Sequence, residues 1–312
     1  QTRDIRFKQI IQKLIISLKQ GKSFSESLSA FPDVFTNLYV SLIRVAEAGG
    51  LLDKVLSRLA DLSTQEIDLR SRLRAALVYP AVLATVAFAI VNFVLVGVLP
   101  KFVAIFEASQ AKIPLPTKIL LSTSFALRKF WWLLGLGVIL GFSGLRSFYR
   151  SEAGRLRVDG WILRLPVLGP FLLKIMVSQL SRSVAALTQS GVTILKALAV
   201  VEETLPNMAL KRVLADIRLA ISRGKTLTEP FRVSGLFSPI VIQLIDTGER
   251  TGKLDAMFDE IADFYEPEIE FTLRNLTSLL EPIMLLLMGA VVTFIALSVL
   301  LPIFNLISIV RR

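Results

Sequence analysis

Apolar residues are gathered into blocks along this chain. Three runs carry no charged residue: Ala75–Pro100 with 26 residues, Phe130–Leu145 with 16 and Pro282–Val310 with 29. A helix needs about 20 apolar residues to span a bilayer. The first and third runs are therefore long enough to cross, with spans set at 77–100 and 282–310. The second, 130–145, crosses only with tilt, local thinning or snorkelling of Lys129 and Arg146. Trp131 and Trp132 would mark its interface.

Elsewhere the pattern turns to helical spacing of apolar and polar positions. Ile5, Ile10, Leu14 and Leu18 form one stripe, read as an amphipathic helix stopped by Gly21. Ser23 and Glu26 resemble a capping box for a short helix ending near Phe31-Pro32. A further helix over about 37–48 stops at Gly49-Gly50. The next begins near Asp53, an acid in the first turn that suits the helix dipole. Nothing breaks it before the first apolar run. Leu51–Leu99 is predicted as one helix, kinked only at Tyr79-Pro80, whose first half projects from the bilayer as a stalk. Pro100–Phe130, with Pro114 and Pro116, reads as a short connection, and Arg146–Pro170 as basic and turn-rich. From Phe171, six helices are separated by Gly, Pro or Ser, and the last enters the third run. The fold class is all-α.

The chain also repeats itself. Glu47/Glu249, Gly50/Gly252, Leu52/Leu254, Asp53/Asp255, Pro80/Pro282, Pro100/Pro302 and Phe102/Phe304 share an offset of 202, and Gly21/Gly224 an offset of 203. Seven pairs at one offset, in polar and apolar parts alike, indicate an internal duplication. Residue 1 aligns with Thr204, so the first copy lacks counterparts of Phe171–Glu203. The expectation is an amino-terminally incomplete first unit, in a fragment of a longer chain.

Charge refines the layout. The net charge is +11, but residues 146–281 are nearly neutral and the positive excess lies near the ends of the apolar runs. Arg146, Arg150, Arg155, Arg157 and Arg164 follow the second run closely, and Arg70, Arg72 and Arg74 precede the first. The positive-inside rule places both blocks in the cytoplasm and the 101–129 loop outside. No basic stripe with aromatic partners suggests direct nucleic-acid binding.

Candidate chemistry is sparse. The chain has no Cys and no His, which removes thiol chemistry and the commonest metal ligand and general base. Gly21-Lys22-Ser23 and Gly224-Lys225-Thr226 look like the end of a phosphate-binding loop. The further glycine that loop requires is replaced by Ile16 and Leu219, inside helical patterns. The expectation is structural: Gly21, Gly50, Gly224 and Gly252 are turns, Ser23 or Thr226 caps the next helix, and Pro80 and Pro282 mark entry into the membrane. No cofactor and no metal site is expected. Asp255, Asp259, Glu260, Asp263, Glu266, Glu268 and Glu270 form a solvated acidic face or one that docks a basic partner. Glu47 and Glu249 sit near helix C-termini, where an anion is disfavoured. Each reads as a turn glutamate paired with an arginine such as Arg44 or Arg250, or as a partner contact.

Two copies of G-K-[ST]-[FL]-[ST]-E, then [AG]-E-x-[GT]-G-x-L-D, then [YE]-P leading into a span that ends in L-P, resemble the type II secretion system protein F family. Arg72–Pro80 is similar to that family's signature at the first span. Ala46, where the family usually has Gly, is a departure. The resemblance implies duplicated six-helix cytoplasmic bundles, here 1–76 (incomplete) and 146–281, joined to three transmembrane helices around a periplasmic 101–129 loop. It implies a non-enzymatic inner-membrane platform, forming a homo-oligomer, that couples a hexameric secretion or pilus ATPase to pilin or pseudopilin subunits, beside other platform proteins and the lipid bilayer. Glu47, Asp53, Glu249, Asp255, Asp259, Asp263 and Glu266 are the candidate partner contacts. A polytopic transporter or channel subunit is the competing class.

Overall fold

The computed structural model describes residues 5–94, 97 and 115–310. Among these the chain is helical, without a strand. The elements are α1 (Ile5–Lys19), α2 (Phe24–Ser29), α3 (Asn37–Gly49), α4 (Leu52–Phe93), α5 (Leu115–Arg150), α6 (Glu152–Arg164), α7 (Leu168–Gln189), α8 (Ile194–Thr204), α9 (Met208–Ser222), α10 (Thr228–Val233), α11 (Pro239–Thr251) and α12 (Leu254–Val310). They divide into a packed unit, Gln1–Leu69 with Tyr149–Thr272, and a second unit, Arg70–Phe148 with Leu273–Arg312.

The packed unit is built where apolar stripes meet. α7 packs on α6 and α8, and α9 on α6, α8 and α10. Val184, Ala185, Leu187, Ala197, Leu198, Leu210 and Leu214 are fully enclosed there. Small residues on α7, Ala185 and Ala186, let its neighbours approach closely. Phe231 bridges α10 to Phe237 and to Phe258 of α12, with ring centroids 4.8 and 6.5 Å apart.

The repeated stretches adopt the same elements. α1 and α9 have 15 residues each, α2 and α10 six, and α3 and α11 thirteen. Gly50 and Gly252 cap α3 and α11 in the left-handed region, at φ 67° and 70°. Any side chain is disfavoured in that conformation. The copies differ in cover. Leu214 is buried between neighbours of α9, whereas its counterpart Ile11 on α1 is exposed, and Leu14 is the buried residue of α1.

They also differ at the Ala46/Gly248 pair. A Cβ on Gly248 would lie 3.0 Å from Met257 Cγ and 3.1 Å from Leu254 Cα. The second copy therefore closes α11 onto α12 so tightly that a Cβ at 248 would have to push Met257 and Leu254 aside. Gly248→Ala should destabilise the packed unit by about 1–2 kcal/mol through overpacking. Thermal unfolding of the purified protein in detergent checks this, and an unchanged midpoint would refute it.

Residues 146–170 are not simply turn-rich. They contain α6, opened by Ser151, whose Oγ accepts from the Gly154 N–H at 3.1 Å. Glu152 in its first turn and Arg164 in its last suit the dipole. Gly154 and Gly160, which look like breakers, lie within the helix. A tight corner follows, where a Cβ on Gly169 would fall 2.1 Å from the Leu163 carbonyl oxygen. α7 stands at 108° to α6. The apolar residues of α7 serve the core of the packed unit, since Phe171, Val177, Leu180 and Val184 are buried in it.

The second unit holds the remainder of α4, α5 and the remainder of α12. α4 and α12 are each long and apolar enough to cross a membrane. At 1.5 Å per residue they measure about 63 and 86 Å for their 42 and 57 residues. α4 is continuous through Pro80. Leu77, Val82, Phe88 and Phe93 of α4, and Leu285, Leu286, Val292 and Leu297 of α12, are exposed. Side chains of that kind require an apolar surrounding. α5 starts earlier than the apolar run it contains. Its helix begins at Leu115, with Pro116 near the N-terminus where a missing N–H costs nothing, and breaks at Phe130 (φ −114°, ψ 15°). The second half of the expected 101–129 connection is thus helical, and its first half lies outside the described residues, as do Leu99, Pro100 and Phe102.

Candidate functional site

The acidic residues singled out by the sequence occupy three kinds of place. Glu47 and Glu249 each reach back across a turn to the start of the preceding short helix. The Glu249 carboxylate accepts from the Leu227 N–H at 2.6 Å, the Thr228 N–H at 2.9 Å and the Thr228 hydroxyl at 2.7 Å. Glu47 accepts from the Phe24 N–H, from the Ser25 N–H at 3.1 Å and from the Ser25 hydroxyl at 2.6 Å. The two sets correspond donor for donor. The first N–H groups of a helix lack partners within it, so each carboxylate fastens the first turn of α2 or α10 to the last turn of α3 or α11. This resolves their position at a helix C-terminus: the positive end of another helix offsets the unfavourable dipole. Burial pushes both carboxyls up, but the Ser25 hydroxyl with the Ser25 and Phe24 N–H groups, and the Leu227 N–H with the Thr228 donors, outweigh it. Both end below the ordinary carboxylate range. Neither Arg44 nor Arg250 supplies these hydrogen bonds, and Arg250 pairs with Asp246 at 2.9 Å.

The glycine-lysine-hydroxyl stretches belong to the same arrangement. Gly21 and Gly224 turn the chain at φ 83° and 88°. Ser23 caps α2 as expected, accepting from the Glu26 N–H at 3.1 Å. Thr226 does not cap α10. That helix starts one residue later, with Leu227 at the capping position and no side-chain cap from it, and Glu249 supplies the acceptor.

Asp259, Asp263 and Glu266 recur at four and three residues on α12 and gather on one cation, Arg182 of α7. Its Nη1 lies 2.9 Å from Asp259 Oδ1 and 2.7 Å from Asp263 Oδ1, and its Nη2 lies 3.6 Å from Glu266 Oε2. Asp259 also receives Arg58 Nη2 of α4 at 3.0 Å. Burial works against the charge of Arg182, yet Asp263 and Asp259 raise its pKa. Burial likewise pushes the Asp259 carboxyl up, but the Arg182 hydrogen bond and the charges of Arg58 and Arg182 bring it below its ordinary value. Lys174 holds Glu268 at 2.8 Å. The acidic face thus meets the chain's own cations. Asp53 and Asp255 stand in the first turns of α4 and α12, and among the described residues neither joins the Arg182 ion pairs. Pro80 and Pro282 lie inside α4 and α12.

Two features escaped the sequence reading. Arg182 is separated by 77 residues from Asp259, and no local pattern marks it. Asp159 of α6 is buried and accepts from Tyr149 Oη at 3.0 Å and from the Met208 N–H at 2.7 Å, fastening the start of α9. Its only signal was an acid mid-way along a largely basic segment. Asn37 of α3 donates to Glu203 of α8 at 2.7 Å, a second tie between the copies. Among the described residues no group of Asp and Glu is arranged to hold a metal ion.

The geometry defines a class: an all-α protein whose packed helical unit, built on repeated elements, sends two helices on as candidate membrane spans. The family model for the type II secretion system (T2SS), protein F, matches residues 1–100 and 180–302, two segments that end on the repeated Pro100 and Pro302. A type IV pilus assembly protein PilC of Thermus thermophilus is 34% identical over 313 residues, covering 99% of this chain and 76% of the relative. A type II secretion system protein F of Pseudomonas aeruginosa is 33% identical, covering 97% and 76%. A PilC of Myxococcus xanthus is 31% identical, covering 98% and 73%. The chain belongs to the type II secretion system protein F family.

Proposed function

We propose that this protein is a non-enzymatic scaffold of the inner membrane that couples a cytoplasmic hexameric ATPase to the assembly of pilin or pseudopilin subunits. The supporting observation is the course of α4 and α12. Each begins among ion pairs and core contacts of the packed unit and continues helically into an apolar stretch with exposed side chains. Arg58 and Asp259 join the polar portions of the two helices at 3.0 Å. A displacement imposed on the packed unit would therefore reach the bilayer through two helices that move together. The packed unit is the cytoplasmic part in this reading, and the pilin-contacting surface lies on the apolar portions. Glu47 and Glu249 act by shaping the packed unit rather than by touching a partner, whereas Asp53, Asp255 and the exposed carboxylates of Asp263 and Glu266 remain the partner-facing groups.

A flexible Gly-Ser segment inserted near Ser63 of α4, just past its hydrogen bond with Tyr39, tests the coupling. Pilus or pseudopilus assembly should be abolished in a strain carrying only this variant, while the protein still fractionates with the membrane. Normal assembly would sink the proposal.

A further inference from the structure

α6 presents a surface that the packed unit does not use. Asp159 is buried on its inner side, bonded to the first residue of α9. Arg157, Trp161 and Arg164 recur at four and three residues, which places them on one outer face, and all three are exposed. Trp161 is 65% exposed, unusual for the side chain with the largest apolar area. Val167 and Leu168 in the corner that follows are exposed as well. An outward tryptophan between outward arginines is an amphipathic tip, apolar in its ring and cationic at its flanks.

The chain indicates what covers it. α6 begins one residue after α5 ends, with Ser151 in extended conformation between them. The charge-free run within α5 ends at Leu145, and Arg146 and Arg150, both exposed, follow it. Four outward arginines and one outward tryptophan therefore fall within twenty residues of the end of an apolar helix. Tryptophan favours the headgroup level of a bilayer, and arginine there meets phosphate oxygens bidentately while its stem lies along apolar surface. Arginines flanking an outward tryptophan are drawn to the negative surface of an anionic membrane.

We propose that the outer face of α6, Arg157, Trp161 and Arg164, together with Arg150, docks on anionic phospholipid headgroups. The proposal rests on the reading that the apolar helices lie in a bilayer. It makes α6 a peripheral lipid contact of the packed unit.

The test uses the full chain reconstituted in nanodiscs, with Trp131→Phe and Trp132→Phe leaving Trp161 as the sole tryptophan of the three. In discs containing phosphatidylglycerol, Trp161 emission should move to shorter wavelength, be quenched by brominated acyl chains and be shielded from acrylamide. Discs of phosphatidylcholine alone should give weaker lipid quenching. Arg157→Glu with Arg164→Glu should abolish the difference without releasing the protein from the disc. A Trp161 quenched by acrylamide and not by lipid in both compositions would overturn the proposal and point to a protein partner for this face. Equal lipid quenching in both would overturn the anionic recognition. A protein that fails to remain with discs of either composition would instead overturn the membrane reading beneath it.

Discussion

Glu249→Ala is expected to release the first turn of α10 and destabilise the packed unit by about 2–3 kcal/mol. The carboxylate takes three donors, two of them backbone N–H groups on residues that are themselves buried, Leu227 and Thr228. Alanine leaves those N–H groups without their carboxylate acceptor, and water replaces it only in part because both residues are buried. Glu47→Ala removes the matching set around Phe24 and Ser25. Phe24 is only partly buried, so its N–H rehydrates more readily and the loss should be smaller. Hydrogen exchange locates the damage. Amides of 227 and 228 should exchange faster in the first variant, and those of 24 and 25 in the second, each leaving the other copy protected. Unchanged exchange at both sites would show that the carboxylates do not hold these turns. Acid should act in the same direction. Both carboxyls have folded pKa values below their unfolded ones, so the folded state binds fewer protons, and stability present above about pH 4 is lost as pH falls through the depressed values. Glu249→Gln, which cannot titrate, should flatten that dependence and retain one acceptor oxygen.

The pairing of Glu47 and Glu249 was legible in the sequence as a repeat, but its meaning was not. Two glutamates at equal offsets, each just before a glycine stop, announce a shared structural task. Which groups they serve depends on how the chain folds back over more than twenty residues, and helical periodicity carries no information about that. The long helices were legible for the opposite reason. An apolar run longer than a bilayer, continuous with an amphipathic helix and free of capping signals, leaves few alternatives. The stretch around α6 was read as basic and turn-rich although it holds a 13-residue helix with Gly154 and Gly160 inside it. In the folded chain Ser151 caps the helix and Asp159 anchors it, so tertiary contacts override the local cost of glycine. The acidic face of α12 was legible as a face, since Asp259, Asp263 and Glu266 keep helical spacing. Its cation was not, because Arg182 comes from another helix.

Arg182→Met is expected to cost about 2 kcal/mol, most of it through Asp259. Arg182 is only 12% exposed and Asp259 29%, whereas Asp263 and Glu266 are 60% and 55% exposed and are screened by water. Without the guanidinium, three carboxylates repel along one face of α12, and Arg58 alone neutralises Asp259. A double-mutant cycle separates the parts. Coupling of Arg182 with Asp259 should be about 1–2 kcal/mol, and with Asp263 below about 0.5 kcal/mol. Equal couplings would mean that the cluster acts as a diffuse surface network instead of a half-buried pair with exposed followers. The Arg58→Met variant then distinguishes stability from transmission. Its Nη2 meets Asp259 Oδ1, the same oxygen that receives Arg182 Nη1, so losing it leaves the α7–α12 pair intact and cuts only the tie to α4. If α4 and α12 carry motion jointly, Arg58→Met should impair assembly more than its small loss of stability explains, while Asp263→Asn, of comparable cost, should not. Equal assembly by these two variants would leave Asp259 a packing residue and remove the tie from the mechanism.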